Sequence, residues 1–422
     1  MFKRILNNVK LIAFAVVLGA VTGVVIWGFL KAVSYVTGLL WEKLPEAVQF
    51  PGYAIALCAI GGLIIGIVRK FFGDYPEELE TVMKKVKKDG HYDYSKMLVM
   101  LIAAFLPLVF ASSVGPEAGL TGVIVGLCYW VGDNVKYAKE HEKEYSEIGE
   151  AVTLGVLFHV PLFGIFAVEE TEVELAKEEA SGIKLPKPMK LVLYGSAVAG
   201  GLIAFYLLRE FFGAAMEGFP SFDVVSFTIP DFVAIILYLI IGIIMAYIFM
   251  GCEFIFEKIS GVVPGIIKET LCGVALGAVI TVVPMAAFSG EEQMGELTGT
   301  FKTFLPLVLI GIAVVKLILT SMCIKLGLKG GHFFPLIFAC VCMGFGVGIF
   351  IFGYDLPHLV FAAGMVTAAC LGAQMKKPIA VAVLCLLCFP VKMLFFLFLA
   401  AAIGSALGFK KKENDLEKKT DM

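Results

Sequence analysis

The chain has 422 residues, of which 59% are hydrophobic and 17% charged, and its mean hydropathy is +0.91. This composition excludes a soluble globular protein and indicates a polytopic membrane protein. The net charge of −2 argues against a nucleic-acid partner, and the ten cysteines lie scattered in apolar segments, which indicates packing residues rather than disulfides or a metal site.

Long apolar segments recur from the N-terminus onward and predict membrane-spanning helices. We expect an all-α structure rather than a β-barrel, because these segments are continuous and no series of short alternating strands occurs. The first segment is too long for the core of a signal peptide, so we expect a retained first helix. The predicted spans cover residues 11–40, 53–68, 97–111, 190–212, 230–256, 263–288 and 302–326.

Other apolar segments are interrupted by glycine and proline, often into pieces too short for a full crossing. Interrupted helices at membrane depth are tolerated where their free backbone groups face protein or a polar cavity. The interruptions therefore predict an ion or substrate path. They affect residues 115–132, 150–168, 333–353, 357–373 and 378–408.

The interruptions repeat along the chain. The first half contains "GPEAG" followed by "HVPLFGIFAVEE", and the second half contains "GGHFFP" followed by "KKPIAVAVLCLL". Pro161 lies 44 positions after Glu117, and Pro378 lies 45 positions after Phe333. The matching spacing predicts two related halves whose Gly-rich starts meet at a shared site.

We therefore expect a single transmembrane domain over residues 1–422, with halves at about 11–180 and 190–408. Basic residues cluster near the N-terminus, in the loop "RKFFGDYPEELETVMKKVKKDG" and in the tail 409–422. The positive-inside tendency places both termini in the cytoplasm. We expect a multi-pass protein of the plasma membrane. The tail is short and polar, so we expect no soluble regulatory domain.

Glu117 is an acidic residue within the Gly-rich stretch "SSVGPEAGLTG". A Gly-rich turn that leads into a helix presents free N–H groups and the positive end of the helix dipole, which attract an anion. An ionised Glu117 would occupy the anion position, and a protonated Glu117 would swing away and let the ion pass. The alternative is a helix-capping carboxylate, although intramembrane ionisable groups are functional by default.

These motifs resemble those of the CLC family of chloride channels and proton/chloride exchangers. The segment "SVGPEAGLTGVIVG" is similar to that family's Gly-Arg-Glu-Gly-Pro segment, with the glutamate kept and Pro116 in place of arginine. The segment "GGHFFPLIFACVCMGFGVG" is similar to its Gly-x-Phe-x-Pro segment. Further similarity in "FHVPLFGIFAVEE", "FSGEEQ" and "QMKKPIAVAVL" extends the resemblance over most of the chain.

The resemblance implies a CLC-like inverted repeat of tilted and broken helices, a homodimer in the lipid bilayer, and one anion path per subunit. It implies that Glu117 is the gate and that an inner glutamate transfers protons. Counting from Gly164 puts Thr171 at the inner position, whereas aligning the acidic pair selects Glu170. The implied anion-binding backbone residues are Gly115, Pro116, Ala118, Gly119, Gly331, His332, Phe333 and Phe334.

Two departures from the family pattern concern the central anion. The family's Gly-Ser-Gly-Ile-Pro segment should fall near "FFGDYPEELE", where Gly73, Asp74 and Tyr75 form a possible inner anion loop without a serine. We expect Asp74 to face the cytosolic loop or a cation. The family's C-terminal tyrosine has no counterpart, since the last tyrosine is Tyr354. A fluoride-exporting branch of the family lacks the serine, which makes fluoride a candidate substrate beside chloride.

The sequence thus predicts a halide transporter that exchanges halide anions for protons. A passive CLC-type channel is the alternative mechanism, and His159 and His332 are expected to be neutral, hydrogen-bonded residues. An intramembrane enzyme is disfavoured because no metal-ligand or nucleophile motif occurs, and Ser112 or Ser113 could pair with His159 only by proximity. No cofactor is expected.

Overall fold

The computed structural model describes residues 2–77, 82, 91–134, 142–175, 187–216 and 218–408. All the regular elements in these ranges are helices, as predicted. The helices of the first part are α1 (Phe2–Gly38), α2 (Leu44–Val48), α3 (Tyr53–Phe72), α4 (Met97–Val109), α5 (Glu117–Asn134), α6 (Glu142–Leu157), α7 (Pro161–Leu175) and α8 (Lys187–Phe212). Those of the second part are α9 (Ile229–Val262), α10 (Gly265–Val282), α11 (Glu291–Thr300), α12 (Pro306–Lys325), α13 (Phe333–Phe352), α14 (Leu356–Met375), α15 (Pro378–Cys385) and α16 (Leu394–Leu407).

Within the described ranges, eight helical segments are long and apolar enough to cross a membrane. The 34 residues of α9 would measure about 51 Å, well beyond the roughly 30 Å hydrocarbon core, so α9 must tilt or extend past it. By contrast, α4 has 13 residues and measures about 20 Å, so the prediction of a full crossing over 97–111 is wrong. The chain leaves the helix after Val109 and continues irregularly to Gly115.

The second correction concerns glycines that were predicted to interrupt helices. Helices α13 and α14 are each continuous over 20 residues and are long enough to span the membrane. Gly344 lies directly against the backbone of Ala363, and Gly348 lies against Leu359. These glycines allow close contact between α13 and α14 rather than breaking α13. The predicted interruptions at 150–168 and 378–408 are present, between α6 and α7 and between α15 and α16.

Small residues also bring the other helices close together. A Cβ at Gly19 of α1 would overlap the Ala197 carbonyl of α8, and one at Gly62 of α3 would overlap the backbone of α10. Lipid provides no hydrophobic driving force between helices, so such close contacts stabilise the bundle by dispersion. The shared core is consequently built from backbones as much as from large side chains.

The order of elements is similar after the two Gly-rich segments. Helices α5 and α13 both begin at these segments, and each is followed by three helices. The predicted halves at about 11–180 and 190–408 stay a prediction. The tail 409–422 lies outside the described residues.

Candidate functional site

The two Gly-rich helix starts meet in the interior of the protein. The N–H of Gly115 donates to the carbonyl of Gly331 at 2.8 Å, and the N–H of Gly331 donates back to the carbonyl of Gly115 at 2.7 Å. This two-bond antiparallel bridge places the first turns of α5 and α13 next to each other. The positive ends of two helix dipoles therefore converge on one small region.

The carboxyl group of Glu117 occupies that region. Its Oε1 accepts a hydrogen bond from the N–H of Phe333 at 2.8 Å, and the N–H groups of Phe334 and of Glu117 itself are close enough to stabilise a negative charge. The residue is 3% exposed, and its Oε2 has no hydrogen-bond partner among the described residues. Glu117 is thus a buried carboxylate held by backbone dipoles, with one oxygen unsatisfied.

Two glycines make room for this carboxyl. A Cβ at Gly331 would overlap the Glu117 carboxyl carbon, and one at Gly115 would overlap Oε2. Both glycines therefore allow the backbone to lie close to an acidic side chain. The sequence shows the glycines, but only the fold shows that they surround the same side chain.

Three of the predicted backbone ligands need correction. Pro116 has no N–H group and cannot donate to an anion. The N–H groups of Gly115 and Gly331 are used on each other. The donors that remain are those of Ala118 and Gly119, which lie in the first turn of α5 where N–H groups have no intrahelical acceptor, and those of the α13 start at Phe333 and Phe334.

Aromatic rings hold the α13 start in place. The ring of Phe334 stacks on Phe158 and Phe219 with centroids 4.6 and 5.2 Å apart. The imidazole of His332 packs against Phe249 and Phe333. His332 thus contributes ring packing at the end of the Gly-rich segment, and its predicted role as a backbone ligand stays a prediction.

The loop at Gly73, Asp74 and Tyr75 does not form the predicted anion site. The N–H of Gly73 donates to the Arg69 carbonyl, and the N–H of Tyr75 donates to the Gly73 carbonyl, each at 3.0 Å. The Asp74 carboxylate pairs with Arg69 and with Lys329 at 2.8 Å. Two of the three backbone donors are therefore engaged, and the acidic side chain would repel an anion. The expectation that Asp74 faces a cation is confirmed.

This ion-pair cluster lies at one end of the molecule. We call that end the basic side and define it by Arg69, Lys268 and Lys329. Arg69 also pairs with Glu269 of α10. A cavity of about 560 Å³, lined by both α3 and α10 residues, opens there. Lys329 stands directly before the second Gly-rich segment, so the cluster links the end of α3 and the start of α10 to that segment.

Asp74 provides a pH-dependent test of this cluster. Burial acts to raise the pKa of Asp74, but the charges of Lys329 and Arg69 outweigh it and hold the pKa below its usual value. A lowered pKa in the folded state stabilises the protein at pH values above the ordinary Asp pKa of about 3.9, and this stability is lost as the pH falls through the folded-state pKa. We expect Asp74→Asn to lower the thermal midpoint between pH 5 and 8, and the difference from wild type to shrink as the pH falls below about 4 and to vanish below the folded-state pKa.

The measurement for Asp74→Asn is a thermal unfolding series in detergent at each pH. Asp223→Asn is the matched control, since it removes one exposed carboxylate outside the cluster. A difference between wild type and Asp74→Asn that persists unchanged at acidic pH would contradict the assignment.

Glu170 lies on α7, and both of its oxygens have partners. Oε1 accepts from the N–H of Ile379 at 3.2 Å, and Oε2 accepts from the N–H of Ala380 at 2.9 Å. Glu170 therefore caps the N-terminus of α15 from a neighbouring helix. The side chain of Thr171, the alternative inner residue, lies outside the described residues.

Sequence reasoning missed several buried charged residues, among them Glu150 and Lys316. Glu150 on α6 is 2% exposed, its Oε2 has no hydrogen-bond partner among the described residues, and the charge of Lys377 acts on it. Lys316 on α12 is fully buried. Both stand inside or beside apolar runs, and that isolation is the signal that could have identified them.

The serine and histidine of the alternative enzyme hypothesis have other neighbours. The hydroxyl of Ser113 is 2.9 Å from that of Thr320, and the ring of His159 packs on Phe205 and Tyr206. The structure describes no serine–histidine pair in this region and, in the ranges it covers, no group of three His, Cys, Asp or Glu that could hold a metal ion.

Fold and site define a polytopic helical membrane protein in which the starts of two helices meet around a carboxylate. The chain belongs to the CLC family: the family model described as voltage gated chloride channel matches residues 61–408. Members of this family are anion transporters or channels rather than enzymes, and the resemblance found in the sequence is confirmed.

Individual relatives are distant. The putative ion-transport protein YfeO of Escherichia coli is 22% identical over 339 residues, which cover 78% of this chain and 77% of YfeO. Chloride channel protein CLC-e of Arabidopsis thaliana is 22% identical over 370 residues, 81% of this chain and 49% of CLC-e.

Two solved structures share the fold. The crystal structure of a CLC-type fluoride/proton antiporter has a TM-score of 0.74 at 18% identity and covers 95% of each chain. That of a slow cyanobacterial Cl⁻/H⁺ antiporter has a TM-score of 0.76 at 18% identity, with 97% of this chain and 98% of the antiporter covered. Within the CLC family, the chain therefore has the architecture of these two antiporters.

Proposed function

We propose that the protein is a proton-coupled halide antiporter in which Glu117 is the gate. The observation that carries the proposal is the hydrogen bond from the Phe333 N–H to the Glu117 carboxyl. A helix-start N–H is a typical ligand for an anion, and here the carboxylate takes that place. The side chain thus acts as a tethered substitute for the transported ion.

The cycle follows from this competition. With Glu117 ionised, its carboxylate occupies the donors at Phe333 and blocks the path. Protonation removes the negative charge and weakens the hydrogen bond, so the side chain leaves and a halide takes over the same donors. Deprotonation returns the carboxylate and expels the ion. The ionised Glu117 carboxylate and the halide therefore occupy the same N–H donors at different times, and Glu117 binds one proton while the halide is there.

The basic side is proposed to face the cytoplasm, in accordance with the positive-inside tendency. Protons on that side would then reach the path near Glu170, the proposed inner transfer residue. We propose the plasma membrane as the location, both termini in the cytoplasm, and a homodimer with one path per subunit, as expected for the family.

Chloride and fluoride both remain candidate substrates. Of the two solved antiporters described above, the first is a fluoride/proton antiporter and the second a Cl⁻/H⁺ antiporter. The loop around Asp74 lacks the family's serine, which favours fluoride. Selectivity depends on the number and geometry of ligands, so a flux comparison decides between the two ions.

A passive anion channel is the second candidate. It is favoured by one observation: both oxygens of Glu170 are engaged by backbone N–H groups of α15, which would hinder a role in proton transfer. In a channel, Glu117 would still gate the path, but no proton would be exchanged for each anion.

The experiment is ion flux from liposomes that contain the purified protein. The vesicles are loaded with chloride or fluoride, and halide release and internal pH are recorded together. An antiporter moves the halide against its gradient when a proton gradient is imposed, and the faster halide is the substrate. Halide release without any proton movement would favour the channel, and no release of either ion would overturn the proposal.

A further inference from the structure

A second buried carboxyl group lies beside the anion-binding segments. Glu291, the first residue of α11, is 6% exposed and lines a cavity of about 10 Å³, on the order of one water molecule. Pro116 and Phe334 line the same cavity. These two residues adjoin Glu117 and Phe333, the partners of the gate hydrogen bond.

The surroundings of Glu291 are otherwise mostly apolar. The remaining lining residues of the cavity are Leu30, Leu157, His159, Phe205, Met216 and Gly218. Gly218 is exposed, while His159 and Met216 are half-buried, so the cavity adjoins the surface on that side. Glu291 therefore stands between the surface and the gate.

The position of Glu291 is fixed by its neighbours. The hydroxyl of Ser289 donates to Glu291 Oε2 at 3.2 Å. Lys316 donates to the carbonyls of Ala286, Ala287 and Phe288 at 3.1, 2.9 and 2.6 Å. The buried ammonium thus anchors the segment that leads directly to α11, which keeps the carboxyl at the cavity.

Glu291 lies on the side of the protein opposite to the Arg69 cluster. Helix α10 begins next to that cluster, where Glu269 contacts Arg69, and its 18 residues extend about 27 Å across the molecule. The chain reaches Glu291 nine residues after the end of α10. If the basic side faces the cytoplasm, Glu291 belongs to the extracellular half.

The charged groups around Glu291 leave its carboxyl without a direct counter-ion. Glu117 and Glu292 repel it, and the thiol of Cys388 is near. His159 lines the same cavity. Lys316 donates its hydrogen bonds to backbone carbonyl groups rather than to Glu291. In the part of the chain that the structure describes, Glu291 forms no ion pair.

We propose that Glu291 is the outer proton relay, which receives protons from the extracellular solution and passes them to Glu117. The inference rests on the proposed antiport function and adds a residue to it. The protonated Glu291 carboxyl gives its proton to a water molecule that the cavity can hold, and that water gives a proton to the Glu117 carboxylate. Glu291 then takes a new proton from outside, so each step transfers one proton and leaves no net change in the relay.

The test compares Glu291→Gln with wild type in the same liposomes. Glutamine keeps the size of the side chain but cannot carry a proton, and the gate opens only on protonation, so we expect proton flux and the halide flux coupled to it to fall together at least tenfold, since positioned acid–base groups contribute about 10²-fold or more. Glu296→Gln, exposed on the same helix, is the matched control and should behave as wild type. Glu291→Asp keeps a carboxyl and should restore proton flux with a shifted dependence on external pH.

The outcomes separate this inference from the antiport proposal. If wild type shows no proton-coupled flux, the antiport proposal fails. If wild type is coupled and Glu291→Gln matches Glu296→Gln in proton flux and pH profile, the relay is wrong. If Glu291→Gln does not fold, Glu291→Asp decides: an unchanged pH profile overturns the relay, and a shifted one supports it.

Discussion

Replacing Glu117 by glutamine is expected to give a protein that conducts halide but no longer moves protons. Glutamine has nearly the same shape but carries no charge, so it competes only weakly with an anion for the Phe333 N–H. The anion path stays open, while the group that binds the proton is gone. We expect the coupled proton flux to fall to background and the halide flux to become independent of pH.

The measurement is simultaneous recording of halide release and internal pH in liposomes, between pH 5 and 8. Glu296→Gln, on exposed α11 surface, is the control for the loss of one negative charge. A Glu117→Gln protein that retains full proton coupling would show that the gate lies elsewhere. A protein that loses halide flux while it remains folded would show that the carboxylate has a different role from competing with the anion.

Replacing Gly331 by alanine is the second change with a large expected effect. Its backbone is not in the left-handed region, so alanine fits the backbone, but the new Cβ would overlap the carboxyl carbon of Glu117. The carboxyl must leave the Phe333 N–H. We expect a constitutively open path, with halide flux increased and the number of protons moved per halide reduced at least tenfold, on the order of the loss of one positioned proton carrier.

Gly311→Ala on α12 is the matched control, because a Cβ there meets no atom within 4 Å. Both variants are compared with wild type by flux and by thermal stability in detergent. If Gly331→Ala keeps wild-type coupling, the Glu117 carboxyl does not need the position described above. A loss of stability without any change in coupling would make Gly331 a packing residue only.

The sequence was sufficient for the parts of the site that local rules govern. A glutamate between glycines at the start of a helix implies free backbone donors next to a carboxylate, and the matched spacing of the two Gly-rich segments implies that they meet. The structure shows Glu117 bonded to Phe333 across 216 positions. The resemblance to the CLC family supplied the fold, which composition alone left as a bundle of helices.

The sequence was insufficient to predict features that depend on packing between residues far apart in the chain. From the sequence alone, Gly344 and Gly348 lie in a segment interpreted as interrupted, because only the position of the neighbouring α14 shows that they permit close contact between α13 and α14. The same holds for Gly115 and Gly331, whose N–H groups were predicted to bind an anion but bond to each other. Glu291 appeared only as part of "FSGEEQ", since nothing local indicates that the first of two adjacent acids is buried and the second exposed.

The bridge between Gly115 and Gly331 limits how the proposed gate could move. Two backbone hydrogen bonds join the starts of α5 and α13 beside the Glu117 carboxyl. Opening by separation of these two helix starts would break both bonds in a buried region. Rotation of the Glu117 side chain about its own bonds would leave them intact, so for the proposed gate we expect a single side chain to move while the surrounding scaffold stays still.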